Sequence, residues 1–107
     1  MFSEQEEACL MLVACTCAQD GLISETEEKA FFNELKNNYP NLDEIIFAFY
    51  MDKFFSKNQT IEDYVSRVSD YKLRLLTIKL AEKSATADGL DPKENIALEK
   101  IKRFWGF

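Results

Sequence analysis

The feature that most constrains the fold of this chain is an apolar run of eleven residues from Ala8 to Ala18, in which Thr16 alone is polar. A helix that is apolar on every side has to be enclosed by other helices or by a membrane. Eleven residues make about 16 Å of helix, far short of the ~30 Å core of a bilayer. The run therefore predicts a central core helix in a helical protein.

Helix-capping signals and apolar spacing along the rest of the chain predict an all-α fold, a single compact bundle of five to seven helices in one domain over residues 1–107. No stretch alternates with a period of two long enough to predict a strand. The expected helices run from about Ser3 to Gln19, Ser24 to Asn37, Leu42 to Phe55, a short one after Thr60, Tyr71 to Ala87, and from Asp91 onward.

Two inner faces follow from the helical spacing of apolar residues. That of the third helix is expected to contain Leu42, Ile45, Ile46, Phe49 and Tyr50, and Phe47, Met51, Phe54 and Phe55 make the apolar arc of this helix unusually wide. That of the last helix is expected to contain Ala97, Leu98, Ile101, Phe104 and Trp105.

The composition limits the possible functions. The 107 residues suit one domain, and 13 basic against 19 acidic residues leave a net charge of −6. This charge argues against a nucleic-acid partner, which requires clustered Lys and Arg. The absence of histidine excludes Cys-His and Ser-His-Asp catalysis, and three glycines form no phosphate-binding loop. No segment is long enough for direct membrane insertion. We expect a protein that is not an enzyme.

The three cysteines all lie in the apolar run, at positions 9, 15 and 17. At about 100° per residue they point in three directions and cannot jointly hold a metal ion. They are expected to be small buried side chains. Free thiols in a core indicate a reducing compartment, most simply the cytoplasm.

The chain also contains an internal sequence repeat. A first elbow, residues 18–27, reads Ala-Gln-Asp-Gly-Leu-Ile-Ser-Glu-Thr-Glu, and a second elbow, residues 85–94, reads Ala-Thr-Ala-Asp-Gly-Leu-Asp-Pro-Lys-Glu. Each places Asp-Gly after an Ala-rich helix and a capping box before the next one. Two helical hairpins with the same acidic elbow predict a pseudo-symmetric bundle.

This pattern resembles the tellurite-resistance TerB-like family, an all-α domain with an Asp-Gly-x-Ile/Leu-Ser/Asp-x-x-Glu elbow near each end. The first elbow matches at Asp20, Gly21, Ile23, Ser24 and Glu27, and the second is one residue shorter between glycine and cap. The resemblance implies a binding or scaffold module in a stress-response or envelope-stress setting. It also implies metal binding through the elbows.

Two interpretations of the elbow carboxylates remain open. In the structural one, the aspartates bind turn amides and the glutamates cap helices, which needs no ligand. In the functional one, side-by-side hairpins bring carboxylates together around calcium or magnesium, which prefer oxygen ligands. The metal ligands that the resemblance implies in this chain are Asp20, Glu27, Glu28, Asp88, Asp91 and Glu94.

The aromatic tail is the second candidate for function. Phe104 and Trp105 continue the stripe of the last helix, so core packing is the default. Phe107 follows a helix-ending glycine and is expected to be exposed. An apolar docking patch would combine Phe54, Phe55, Trp105 and Phe107. The alternative function is thus a metal-independent protein–protein adaptor, such as a phage or plasmid accessory protein, that is a monomer or a weak homodimer.

Overall fold

The computed structural model describes residues 1–89 and 91–107. Within these residues there are six α-helices and no strand, which confirms the predicted all-α fold. The helices are α1 (Glu4–Cys17), α2 (Glu25–Asn38), α3 (Glu44–Ser56), α4 (Ile61–Val65), α5 (Tyr71–Ala85) and α6 (Pro92–Trp105). A single 3-10 turn, Thr86–Asp88, follows α5, so the fifth helix ends two residues before its predicted limit.

The predicted capping residues set the helix starts. Ser3, Ser24 and Asp91 each accept a hydrogen bond from the amide three residues further on. The side chain of that third residue in turn accepts a hydrogen bond from the amide of the capping residue. Asp43 and Asp70 cap α3 and α5 with the first of these bonds alone: their side chains accept from the amide three residues further on. Each cap stabilises its helix by about 1 kcal/mol, because it satisfies amides that have no partner within the helix.

The core is built around α1, as the apolar run predicts. Every residue from Ala8 to Cys17 is buried, and α3, α4, α5 and α6 all pack against this helix. α5 makes the most extensive contact with α1 and also packs against α2 and α6. Among the described residues, no helix has the length and apolar character needed to cross a membrane.

The inner face of α3 agrees only in part with the prediction. Phe47, Tyr50 and Met51 are buried, whereas Ile45 is 81% and Phe49 is 60% exposed. The Phe47 ring packs edge-on against Phe31, at a centroid distance of 5.2 Å, and α3 is turned to make that contact. The apolar arc of this helix is so wide that spacing alone did not define its inner face.

The end of α6 also departs in part from the predicted stripe. Phe104 is 56% exposed, whereas Trp105 is 9% exposed and its Nε1–H donates to the Val65 carbonyl at 3.0 Å. The guanidinium of Arg74 lies over this indole, 5.5 Å from the ring centroid. Trp105 is therefore a core residue that ties α6 to α4 and α5.

Candidate functional site at the paired elbows

The two elbows lie against each other at one end of the bundle. The Ser24 hydroxyl donates to the carboxylate of Asp88, a residue 64 positions further along the chain. α2, which begins after Ser24, also packs against the 3-10 turn that contains Asp88. The side-by-side packing on which the functional interpretation depends is therefore present.

The elbows are alike in backbone geometry as well as in sequence. The Gly21 amide donates to the Ala18 carbonyl at 2.9 Å, and the Gly89 amide donates to the Thr86 carbonyl at 3.0 Å. Both glycines have positive φ, +91° and +85°, a region in which other residues are strained. The predicted pseudo-symmetry of the two turns thus extends to individual hydrogen bonds.

Glu27 and Glu94 occupy equivalent places, each the third residue of its helix. The Ser24 amide donates to Glu27 Oε1 at 3.2 Å, and the Asp91 amide donates to Glu94 Oε1 at 3.3 Å. These carboxyl groups are nonetheless inside the protein, since Glu27 is 6% and Glu94 is 4% exposed. Glutamate is almost never fully buried without a partner, so this pair is the unusual feature of the elbows.

A cavity of about 470 Å³ lies between the elbows. Five carboxyl groups line it, those of Asp20, Glu27, Asp88, Asp91 and Glu94. Its other lining residues are Cys17, Leu22, Ile23, Ser24 and Gly89, so none of the described residues around it is basic. We call this space the acidic cavity.

Two side chains of the acidic cavity, Glu94 and Cys17, are favoured in their neutral forms. Burial and, after it, a hydrogen bond with the adjoining Glu27 carboxyl together raise the pKa of Glu94 to about 8. Burial also raises the pKa of the Cys17 thiol, and the negative charge of Glu27 and Glu94 adds to this increase. Two buried carboxylates in contact repel each other, so protonation of Glu94 is favoured at neutral pH.

The cavity contains five of the six residues predicted as metal ligands. The exception is Glu28, which is exposed and does not line it, because the helical turn carries its side chain away from Glu27. Position 90 of the second elbow lies outside the described residues. The sequence did not reveal the bond from Ser24 to Asp88, since a serine before a helix indicates a cap and nothing more.

The residues of the predicted docking patch are not brought together. Phe54 and Phe55 contact each other edge-on at 5.0 Å, and Phe54 lines a cleft with Cys15 near the end of α1. Phe107 packs instead against Tyr71, with the ring centroids 5.8 Å apart. Tyr71 begins α5 beside Asp70, whose amide donates to Gln5 Oε1 at the opposite end of α1. Trp105 is in the core.

The arrangement can hold a proton, and its oxygen atoms are those that a hard cation prefers. As the side chains stand, no group of three or more Cys, Asp or Glu within residues 1–89 and 91–107 has the geometry of a metal site. Comparisons with protein-family models, with curated proteins and with solved structures found no match for this chain.

Proposed function

We propose that this chain is a non-catalytic binding module of the TerB-like type, which takes a divalent cation in the acidic cavity. The observation that supports the proposal best is the set of five carboxyl groups around one cavity with no basic residue among its described lining. One proton on the glutamate pair leaves most of that negative charge uncompensated. A cation of charge +2 would compensate more of it than a second proton.

The ligand chemistry fits calcium or magnesium, both of which bind oxygen. Asp88, Asp91, Glu27 and Glu94 each accept a structural hydrogen bond through one oxygen: Oδ2, Oδ1, Oε1 and Oε1, respectively. The other oxygen of each carboxyl group takes no part in these bonds. Binding then needs loss of the Glu94 proton and side-chain rotation toward the cavity. Both the lost proton and the lost capping geometry make the expected affinity weak, with Kd on the order of 10⁻⁴–10⁻³ M.

The cellular setting is part of the same proposal. Three free cysteines, all buried, fit a reducing compartment and hence the cytoplasm. The stress-response role rests on the resemblance of the two elbows to the TerB-like motif. The charge of −6 and the lack of histidine support a binding role over catalysis or nucleic-acid binding.

Calorimetric titration of the full chain with calcium chloride and magnesium chloride tests the proposal. The wild type is expected to take up one ion per chain at millimolar concentration, and Asp20→Ala is expected to bind it more weakly. Glu28→Gln is the matched control, because it removes one negative charge beside the cavity without removing a lining residue. No heat with the wild type, or equal binding by all three proteins, would contradict the proposal.

The metal-independent adaptor remains the second candidate, favoured by exposed aromatic side chains such as Phe49 and Phe55. Aromatic residues are common anchors of protein interfaces. An ion that binds only the folded chain raises its melting temperature with concentration, whereas an adaptor responds to its protein partner and not to the ion.

A further inference from the structure

One exposed apolar surface lies on α3. Ile45 and Phe49 are one turn apart, and Ala48 lies beside them. All three side chains are exposed because Phe47 and Tyr50 take the inner positions. The helix continues this stripe with Asp52, also exposed, and Glu44 flanks it at the first turn. Lys53, one turn after Phe49, is neutralised by an ion pair with Glu7. We call this surface the α3 face; it is apolar with an acidic rim.

A second exposed apolar surface lies where the chain end meets α5. After α6 the Gly106 amide bonds to the Arg103 carbonyl and the Phe107 amide to the Lys102 carbonyl at 2.8 Å, which folds Phe107 back. Its ring packs against Tyr71, and Leu75 lies one turn further along α5.

These three side chains are exposed, and we call the surface they form the C-terminal face. Lys72 and Lys79 flank Leu75 on the exposed side of α5, whereas Asp70, next to Tyr71, uses its carboxylate to accept from the Leu73 amide. The rim is therefore mainly basic. Neither lysine forms an ion pair within residues 1–89 and 91–107.

The two rims reflect a division of charge along the chain. Residues 1–68 carry thirteen acidic and five basic side chains, whereas residues 69–107 carry six acidic and eight basic ones. α3 packs on α1, and the C-terminal face is built from α5 and the end of the chain. Two apolar surfaces of opposite charge thus belong to separate elements of one molecule.

We propose that the partner of each face is a second copy of this chain, bound head to tail, with the α3 face of one copy on the C-terminal face of the next. Aliphatic and aromatic side chains would be removed from water, and acidic and basic rims would be opposed, which favours correct docking. A symmetric pairing of either face with itself would oppose like charges. The head-to-tail contact leaves one free face at each end, so it continues into a ring or a chain.

Sedimentation of the full-length protein over a concentration series tests this pairing. The wild type is expected to grow beyond a dimer as concentration rises, and its association is expected to weaken at high salt. Phe49→Ser and Phe107→Ser, each tested alone, are expected to remain monomers. An equimolar mixture of the two is expected to form a dimer that grows no further, because each variant contributes its one intact face.

Ile96→Ser serves as the matched control, since Ile96 is 63% exposed on α6 and belongs to neither face; this variant is expected to assemble like the wild type. Circular dichroism verifies folding, and Ile45→Ser with Leu75→Ser forms a second pair of face variants. A wild type that stays monomeric at all concentrations would overturn the proposal. So would a mixture that stays monomeric, or a loss of association caused by Ile96→Ser.

Discussion

The carboxyl groups of Glu27 and Glu94 adjoin each other inside the protein, although 67 positions of sequence number separate them. Each caps the start of its own helix, and each is buried because the two elbows pack together. The glutamate of each capping box, a local feature of the sequence, thereby also contacts the other glutamate in the tertiary structure. The following predictions depend on this contact and on the core beneath it.

The stability of the domain is expected to fall as pH rises. The pKa of Glu94 is raised from an ordinary value of 4.5 to about 8, so between these values the folded chain binds more protons than the unfolded chain. The free energy of unfolding therefore decreases with pH across this interval. Each unit of pKa difference corresponds to about 1.4 kcal/mol, so the total loss is on the order of a few kcal/mol.

Glu94→Gln is expected to remove this decrease, because glutamine is neutral at every pH and keeps an oxygen to accept from the Asp91 amide. Urea denaturation at pH 5, 7 and 9 measures the effect. The variant is expected to match the wild type at pH 5 and exceed its stability at pH 9, while the exposed control Glu28→Gln follows the wild type. Parallel pH profiles for Glu94→Gln and the wild type would contradict the account.

Two neighbouring aromatic residues of α6 are expected to differ sharply in their effect on stability. Trp105→Phe removes a hydrogen bond and leaves the Val65 carbonyl without its indole donor, at a cost of about 1–3 kcal/mol. Phe104→Ser changes an exposed side chain and is expected to stay within about 0.5 kcal/mol of the wild type. Chemical denaturation of both variants measures the difference, and equal losses would show that Trp105 is not the anchor of this helix.

Much of the fold was predictable because local signals agreed with the global arrangement. The run around Leu12 could only be a core helix, and Ser24 and Asp91 marked helix starts that the structure confirms. The exposed side of α3 was not predictable. Ile45 and Phe47 are equally apolar by type, and only the tertiary contact of Phe47 with Phe31 selects which one is buried.

The site was predictable as a set of residues but not as an environment. The repeated elbow identified Asp20 and Asp88 as neighbours of one cavity, and both line it. The same signal included Glu27 and Glu94 among the candidate ligands but did not predict their burial, because that depends on how the two elbows pack together. Glu28 has the same chemistry as Glu27 in sequence, and only the direction of its side chain separates the two.

The three thiols are expected to be inert in the folded chain. Burial raises the pKa of Cys9 to about 11 and that of Cys15 to about 12, and it raises that of Cys17 as well. Thiolate, the reactive form, is therefore scarce at pH 8. A thiol-specific chromogenic reagent at pH 8 is expected to react slowly with the native protein and to detect all three cysteines at once in guanidinium chloride. Rapid reaction of one thiol under native conditions would show that α1 is not enclosed.

The most direct test of the central claim, that the paired elbows form one cation-binding cavity, is the melting temperature of the full chain with increasing calcium at pH 6 and pH 8.5. The proton on the glutamate pair competes with the ion. Calcium is therefore expected to raise the wild-type melting temperature more at pH 8.5 than at pH 6, and to raise that of Glu94→Gln less than that of the wild type at pH 8.5. Sodium chloride of equal ionic strength is the control. An unchanged melting temperature at both pH values, or an equal rise for the wild type and Glu94→Gln, would contradict the claim.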